Sequence, residues 1–334
     1  MGTRRPRAAI LGLSGPAVTA AEAALWREVP PLGAILFARN IRDPDQLRAL
    51  TDDIRDLLGE AAPILVDQEG GRVARLRPPH WPAFRPAADF APLPEDAARA
   101  NAALLGLACR EAGFDVVCAP VLDLRLPGAH DIVGDRSFGA EPEAVGRLGR
   151  AWVEGLQSAG CIPVVKHIPG HGRAMVDSHL DLPRVDAPRD ALALDCAPFA
   201  ELADAGAWAM TAHILYESLD PALPATLSPA IIGQVIRRAI GFDGVLVSDD
   251  LCMKALRGEP GALAAQAIGA GCDLVLHCNG VLEEGAALLA ACPPLSETAE
   301  ARLAEAREAM EDRRAPLDPA ALLALRDAHL PALA

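Results

Sequence analysis

Aromatic side chains are scarce in this chain, at 4% of 334 residues. A hydrophobic core therefore has to be assembled from Ala, Leu, Val and Ile. The 51% hydrophobic content is enough to bury a large one. Basic charge is also short. Thirty-one Lys and Arg face 45 Asp and Glu, and the net charge of −14 argues against a nucleic-acid partner, because phosphate binding needs a basic surface. The eight cysteines form no CxxC pair. Several, such as Cys118 in DVVCAP, sit in apolar runs, the pattern of small buried hydrophobes in a reducing compartment. No run approaches the ~18 apolar residues of a membrane span. The apolar run at 8–13 is shorter than the ~7–15 residues of a signal-peptide core. It predicts a first strand, and a cytoplasmic chain with no membrane partner is expected.

Against these absences stands a repeated piece of punctuation. EAGFDVV (111–117), SAGCIPVV (158–165), DAGAWAM (204–210) and GAGCDLVL (269–276) each read as a helix end, Ala-Gly, then a short β-type run. Glycine just past a helix takes the left-handed conformation cheaply, so each marks a helix stop feeding a strand. With 8–13, 33–37, 63–66 and 244–247, eight strands are predicted. Helical patterns fall between them. Residues 44–58 put Leu47, Leu50, Ile54, Leu57 and Leu58 on one face, with Asp43 as cap and Pro44 in the first turn. Segments 142–160, 188–206 and 228–241 also read as helices. Eight β–α alternations predict an α/β fold, a single (β/α)8 TIM-type barrel. A doubly wound open sheet is the alternative, weakened in its dinucleotide-binding form because no G-x-G-x-x-G follows the first strand. Residues 1–334 are expected to form one catalytic domain, with a helical C-terminal tail from about 296.

In such a barrel chemistry sits at the C-terminal ends of the strands. Polar residues collect there: Arg39-Asn40, Asp67-Gln-Glu-Gly-Gly-Arg, Asp123 with Gly134-Asp135-Arg136 beyond it, Lys166-His167, Thr211 and His213, Asp249-Asp250, and Cys278-Asn279. A rim this polar predicts a sugar-like or phosphate-like pocket. Arg39, Asn40, Cys278 and Asn279 read equally well as turn and cap residues. Asp67, close to Arg72 and Arg75, fits either a pocket or an Arg–Asp pair stiffening a loop. Asp249 and Asp250 alternate in direction, so only one can aim into the barrel mouth, and alternation alone leaves open which.

The stretch KHIPGHGRAMVDSHLDLP (166–183) concentrates the chemistry. As a metal site it offers His167, His171, Asp177 and His179, but without the helical i, i+4 frame of HExxH. As a phosphate loop it lacks G-x-x-x-x-G-K-[ST]. As an acid–base loop it offers Asp177 two residues from His179, a carboxylate placed to fix an imidazole's tautomer and raise its pKa. Its glycines suit a loop that moves. A capping Asp beside a surface His remains an open alternative.

These residues resemble a specific family. KHIPGHGRAMVDSHLDLP is similar to the KHFPGHG…DSH…P signature of glycoside hydrolase family 3 β-N-acetylglucosaminidases of the bacterial cell-wall recycling branch. GAILFARNIRDPDQL, LVDQEGGRVARL, APVLDL, GDRSFG, VSDDLCMKAL and AGCDLVLHCN follow in the family's order across nearly the whole chain. The resemblance implies a lone (β/α)8 barrel and a retaining exo-β-N-acetylglucosaminidase. Its implied substrate is a muropeptide or another GlcNAc-containing oligosaccharide, typified by GlcNAc-1,6-anhydroMurNAc with or without peptide. It implies Asp249 as nucleophile forming a covalent glycosyl-aspartate, and His179, oriented by Asp177, as acid/base. Asp67, Arg75, Arg136, Lys166 and His167 are the implied substrate-binding set. No cofactor or metal is implied, and a monomer is expected. Two departures stand out: Ile168 replaces Phe, and Arg173-Ala174 stands where relatives carry Asp-Thr. A related β-glycosidase, a phosphorylase and an inactive sugar-binding barrel are the alternative functions.

Overall fold

The structure is a computed structural model that describes residues 5–128, 131–175 and 181–330. Ten strands and nine α-helices alternate along it. The first half contains β1 (Arg7–Gly12), α1 (Ala20–Glu28), β2 (Pro31–Leu36), α2 (Pro44–Leu58), β3 (Ile64–Val66), α3 (Glu95–Glu111), β4 (Val116–Val117) and α4 (Pro142–Ser158). The second half contains β5 (Ile162–Ile168), β6 (Arg184–Val185), α5 (Arg189–Glu201), β7 (Trp208–Thr211), β8 (Leu215–Tyr216) and a wide π-type helix, Ile231–Ala239. It continues with β9 (Leu246–Asp250), α6 (Pro260–Ala270), β10 (Leu274–His277), α7 (Leu282–Ala291), α8 (Glu297–Arg313) and α9 (Pro319–Asp327).

Eight of the strands close into one parallel barrel in the order β1-β10-β9-β7-β5-β4-β3-β2. Ala9 pairs with Val275, and Ile10 with Gly33, so the first strand seals the last against the second. This is the (β/α)8 barrel that the sequence predicted, with the π-type helix in the sixth helical place. The pair β6–β8 lies outside the barrel and was not expected from sequence. No helix among the described residues is long and apolar enough to cross a membrane.

Three of the four Ala-Gly stops come within two residues of a helix end, at Gly113, Gly160 and Gly271; α5 ends earlier than expected, at Glu201, five residues before Gly206. Gly113, Gly160, Gly206 and Gly271 all take positive φ, of 94°, 83°, 69° and 117°. A residue with a Cβ pays for that conformation, and glycine does not. Two residues past Gly113 and Gly271 comes an aspartate at the foot of a strand. Asp115 accepts from Ile64 N at 3.1 Å and Arg55 Nη2 at 2.9 Å. Asp273 accepts from Leu246 N and Arg237 Nη2, both at 2.8 Å. Each carboxylate ties neighbouring strands at the N-terminal rim. The opposite rim is left free for loops.

The helices begin where their caps predict. Asp43 accepts from Gln46 N at 2.9 Å to start α2, and Ser296 accepts from Ala299 N at 3.1 Å to start α8. The α2 residues Leu47, Leu50 and Ile54 are buried against the barrel. With few aromatics, the interior is filled by strand residues such as Ile10, Ile35, Leu65, Val117, Val164 and Leu246, all 1% exposed or less. Six cysteines are buried and all eight are free, as their apolar settings predicted.

Candidate active site

At the C-terminal rim, the ends of β3 and β5 build an ion network. Gln68, buried, fixes the loop after β3: its Oε1 accepts from Arg75 N at 2.7 Å and Leu76 N at 3.0 Å. That places Asp67 and Glu69 side by side facing Lys166. The Lys166 ammonium donates to Asp67 Oδ1 at 2.9 Å and lies 2.7 Å from Glu69 Oε1. Arg75 Nη2 reaches Asp67 Oδ2 at 3.1 Å. Arg136 grips Glu69 with both Nε, at 2.7 Å, and Nη2, at 2.9 Å, the bidentate fit that only a guanidinium offers. Two carboxylates against Lys166, Arg75 and Arg136 leave the cluster with one net positive charge. Burial alone would raise the carboxyl pKa values. The cations outweigh it, chiefly Lys166 for Asp67 and Arg136 for Glu69. Asp67 is held far below the usual carboxylate range and Glu69 at about 2. Both are ionised at any physiological pH.

A second centre lies beside it. Asp123, fully buried on the chain beyond β4, accepts from His167 N at 3.1 Å and from His171 N at 2.6 Å. Its other oxygen lies 2.7 Å from His167 Nδ1. An ionised carboxylate requires that nitrogen to donate, which turns His167 Nε2 away from Asp123. Burial opposes the charge on Asp123, yet His167 and His171 bring its pKa down to about 2. His171 is 4% exposed, and burial pushes its imidazole down to about 4. It is neutral at pH 7.

The third centre is the end of β9, where the adjacent acids divide. Asp250 turns its carboxylate onto backbone, accepting from Cys252 N and Cys278 N at 3.0 Å each. Asp249 lines the cavity and accepts only from the Asp250 N–H, at 2.8 Å, among its described side-chain bonds. Asp250 also borders the cavity, but the loop amides hold its carboxylate, which leaves the Asp249 carboxylate as the less engaged of the two. Burial raises the Asp249 pKa, but the His213 and His167 rings and the Asp250 N–H reverse it, so the carboxyl is held below its ordinary value.

All three centres open on one cavity of about 210 Å³. That is below the roughly 300–1,000 Å³ of pockets that take drug-sized ligands, and it suits a single polar ring. Asp67, Arg75, Arg136, Lys166, His167 and Asp249 all line it, with Phe37, Met210 and Leu276 among its apolar walls. The structure thus brings together every expected site residue that it describes. Asp177 and His179 lie outside the described residues. The described part of the loop is anchored by Arg173, whose Nη2 donates to Ala191 O at 3.1 Å and whose guanidinium pairs with buried Asp195 on α5.

This chain matches the glycosyl hydrolase family 3 N-terminal domain over residues 17–310. The chain belongs to that family. A β-hexosaminidase of Alkalilimnicola ehrlichii is 44% identical over 281 residues, covering 81% of this chain and 80% of its own. One from Pseudomonas aeruginosa is 37% identical over 335 residues, covering 96% and 98%. The crystal structure of native NagZ from Neisseria gonorrhoeae superposes with a TM-score of 0.86 at 31% identity, covering 97% of this chain and 98% of that one. A crystal structure of the same NagZ in complex with N-trifluoroacetyl-D-glucosamine gives a TM-score of 0.85. The family resemblance drawn from the ordered motifs is confirmed.

In this family 3 chain, four residues matter that were not singled out from sequence as site residues. Glu69 sits two positions from Asp67 and shares its cation, a spacing visible in DQEGG. Asp123 and His213 were visible as polar strand ends, and His171 as one histidine of the loop. Lys166 carried an unused signal, being one of only two lysines in the chain.

Proposed function

We propose that the chain is a retaining exo-β-N-acetylglucosaminidase that removes one terminal GlcNAc from muropeptide fragments such as GlcNAc-1,6-anhydroMurNAc, with or without peptide. The observation that carries this reading is Asp249: an ionised, cavity-lining carboxylate in a one-sugar pocket whose other wall is a ring of fixed charges. The N-acetylglucosamine derivative bound by the gonococcal NagZ supports the sugar.

Each residue then has a task. Asp67, fixed by Lys166 and Arg75, accepts from sugar hydroxyls, while His167 and Arg136 present N–H groups to the ring substituents. Asp249 attacks the anomeric carbon and forms a glycosyl ester as the C1–O bond to the leaving group breaks. His179, oriented by Asp177 and protonated, gives its proton to the departing oxygen. The imidazole then takes a proton from water, whose oxygen attacks C1 and frees Asp249. A histidine in that role sets no second negative charge against the nucleophile, unlike the usual pair of carboxylates. The small volume of the pocket, about 210 Å³, favours one end sugar over an internal stretch of chain. The chain acts as a monomeric cytoplasmic enzyme, with residues 1–334 as one catalytic unit.

The test compares turnover of aryl GlcNAc with aryl glucoside, each with and without inorganic phosphate. Fast release from aryl GlcNAc, indifferent to phosphate and yielding free GlcNAc, is expected. Preference for the glucoside, a sugar-phosphate product, or no turnover at all would overturn the reading.

A further inference from the structure

Outside the cavity, three side chains converge behind the loop that follows β9. Alternation along β10 turns His277 away from the cavity that its neighbours Leu276 and Cys278 line. His277 is 2% exposed, and its Nε2 has no hydrogen-bond partner. That nitrogen lies 3.3 Å from Glu284 Oε2, in the first turn of α7, but outside hydrogen-bond geometry. Cys252, on the loop after β9, brings its Sγ to the same place. The three ligand atoms all lie within 4.8 Å of one another.

We propose that Cys252, His277 and Glu284 form a binding site for one thiophilic divalent cation of the zinc type, separate from the sugar pocket. The donor set of thiolate, imidazole and carboxylate is the one zinc prefers, and solvent supplies a fourth position. The spacing fits. Two ligand atoms about 2.0–2.2 Å from a tetrahedral ion sit roughly 3.4 Å apart, close to the His277–Glu284 separation. Cys252 has to close by at most about an ångström from within its 4.8 Å limit, since a zinc–sulfur bond of about 2.3 Å sets sulfur and nitrogen roughly 3.6 Å apart. The outer contacts are in place: Asn279 Nδ2 donates to Glu284 Oε2 at 2.7 Å and orients it. The His277 Nε2 lies beside Glu284 on a buried ring, and no described group other than Glu284 and Cys252 is needed to complete the three-ligand face. Coordination needs the Cys252 thiolate, so cation entry releases one proton from sulfur to solvent. Thiolate and carboxylate then balance the two positive charges. The bound ion ties the β9 loop to β10 and α7. Asp250 accepts from the amides of Cys252 and Cys278, so the ion stiffens the segment that holds Asp249.

Co2+ is titrated into the chelator-treated full-length chain and followed by absorption. One equivalent with a sulfur-to-cobalt charge-transfer band is expected. Cys252→Ser should abolish the band, and His277→Asn or Glu284→Gln should weaken affinity by about 10-fold or more, the scale set by ligand-supporting mutations. In the unsubstituted chain, Zn2+ should protect Cys252 but not Cys196 from alkylation by iodoacetamide, read by peptide mass spectrometry. This second measurement holds even if a variant misfolds. A titration without a thiolate band, a band that survives Cys252→Ser, or alkylation of Cys252 unaffected by Zn2+ overturns the site. Binding lost only in His179→Ala would place the ion in the acid/base loop instead and equally overturn it.

Discussion

His213 Nε2 lies 3.0 Å from the backbone carbonyl oxygen of Asp250, while its Nδ1 lies 2.7 Å from Thr226 Oγ1. A carbonyl can only accept, so Nε2 carries the proton. Burial lowers the His213 pKa, and Nδ1 shares a hydrogen bond with the Thr226 hydroxyl, which also reaches Ala212 O at 3.1 Å. Thr226 Oγ1 in turn lies 2.7 Å from Thr211 Oγ1, which accepts from the Asp249 N–H at 3.4 Å. The circuit closes around the peptide joining Asp249 to Asp250. His213 is therefore a positioning residue for the carboxylate proposed as nucleophile.

His213→Ala should lower kcat for aryl GlcNAc by about 10- to 100-fold, because a displacement near 1 Å at the reacting group costs on that order, with KM little changed. His213→Gln, which keeps one N–H donor, should recover part of the loss. A folded Ala variant with parental kcat, or equal defects in Ala and Gln, would remove the positioning role.

Lys166 is 2% exposed and pairs with two carboxylates at once. Lys166→Met keeps the volume but leaves Asp67 and Glu69 with only the arginines. Breaking a buried ion pair from one side costs roughly 3–5 kcal/mol. A clear fall in Tm and a kcat/KM for aryl GlcNAc reduced by at least about 100-fold are expected, since roughly 2.7 kcal/mol of lost positioning already corresponds to that factor. Asp67→Asn, which keeps the shape, should lose less stability than Lys166→Met. The reverse ranking in thermal melts would contradict the network.

Acid should weaken the fold through His171. Its folded pKa is about 4, against ~6.5 in an unfolded chain. Below pH 6.5 the unfolded state takes up the proton first, so stability falls as pH drops and levels off near pH 4. The loss from this group amounts to about 3 kcal/mol. His171→Asn removes the titrating ring. Urea unfolding at pH 7 and pH 4.5 should show a smaller acid loss in the variant than in the parent, and identical losses would refute the assignment.

Much of this architecture was legible in the sequence because local chemistry dictated it. Gly113, Gly160 and Gly271 announce helix stops, and Asp43 with Pro44 announces α2, whereas α5 ends five residues before Gly206. The C-terminal rim could be read from polar residues following apolar runs, and Asp67, Lys166 and Asp249 do meet there. Other features could not be read. Which of Asp249 and Asp250 keeps its carboxylate disengaged at the cavity depends on the amides of Cys252 and Cys278, and the second of these is brought in by the barrel closing. The duty of Lys166 toward Glu69 depends on strands β3 and β5, which have β4 between them. The pair β6–β8 is only two residues wide on each side, too short for periodicity to signal.

His179 is tested by leaving groups. If it protonates the departing oxygen, His179→Ala should slow a poorly activated alkyl GlcNAc far more than a nitrophenyl one, by the roughly 10²–10⁴-fold that general acid catalysis supplies. Equal losses on both substrates would count against an acid role. Asp177→Asn should fall between the parent and His179→Ala.

The central claim is that Asp249 bonds to the sugar. In a 5-fluoro-GlcNAc fluoride the ring fluorine slows both formation and hydrolysis of the glycosyl ester, while the anomeric fluoride leaving group keeps formation the faster step, so the intermediate accumulates. After incubation, digestion and mass spectrometry, the account predicts one fluoro-GlcNAc adduct per chain, on the peptide carrying Asp249, and none in Asp249→Asn. A label on Asp67, or burst-free turnover with no adduct at any residue, would contradict it.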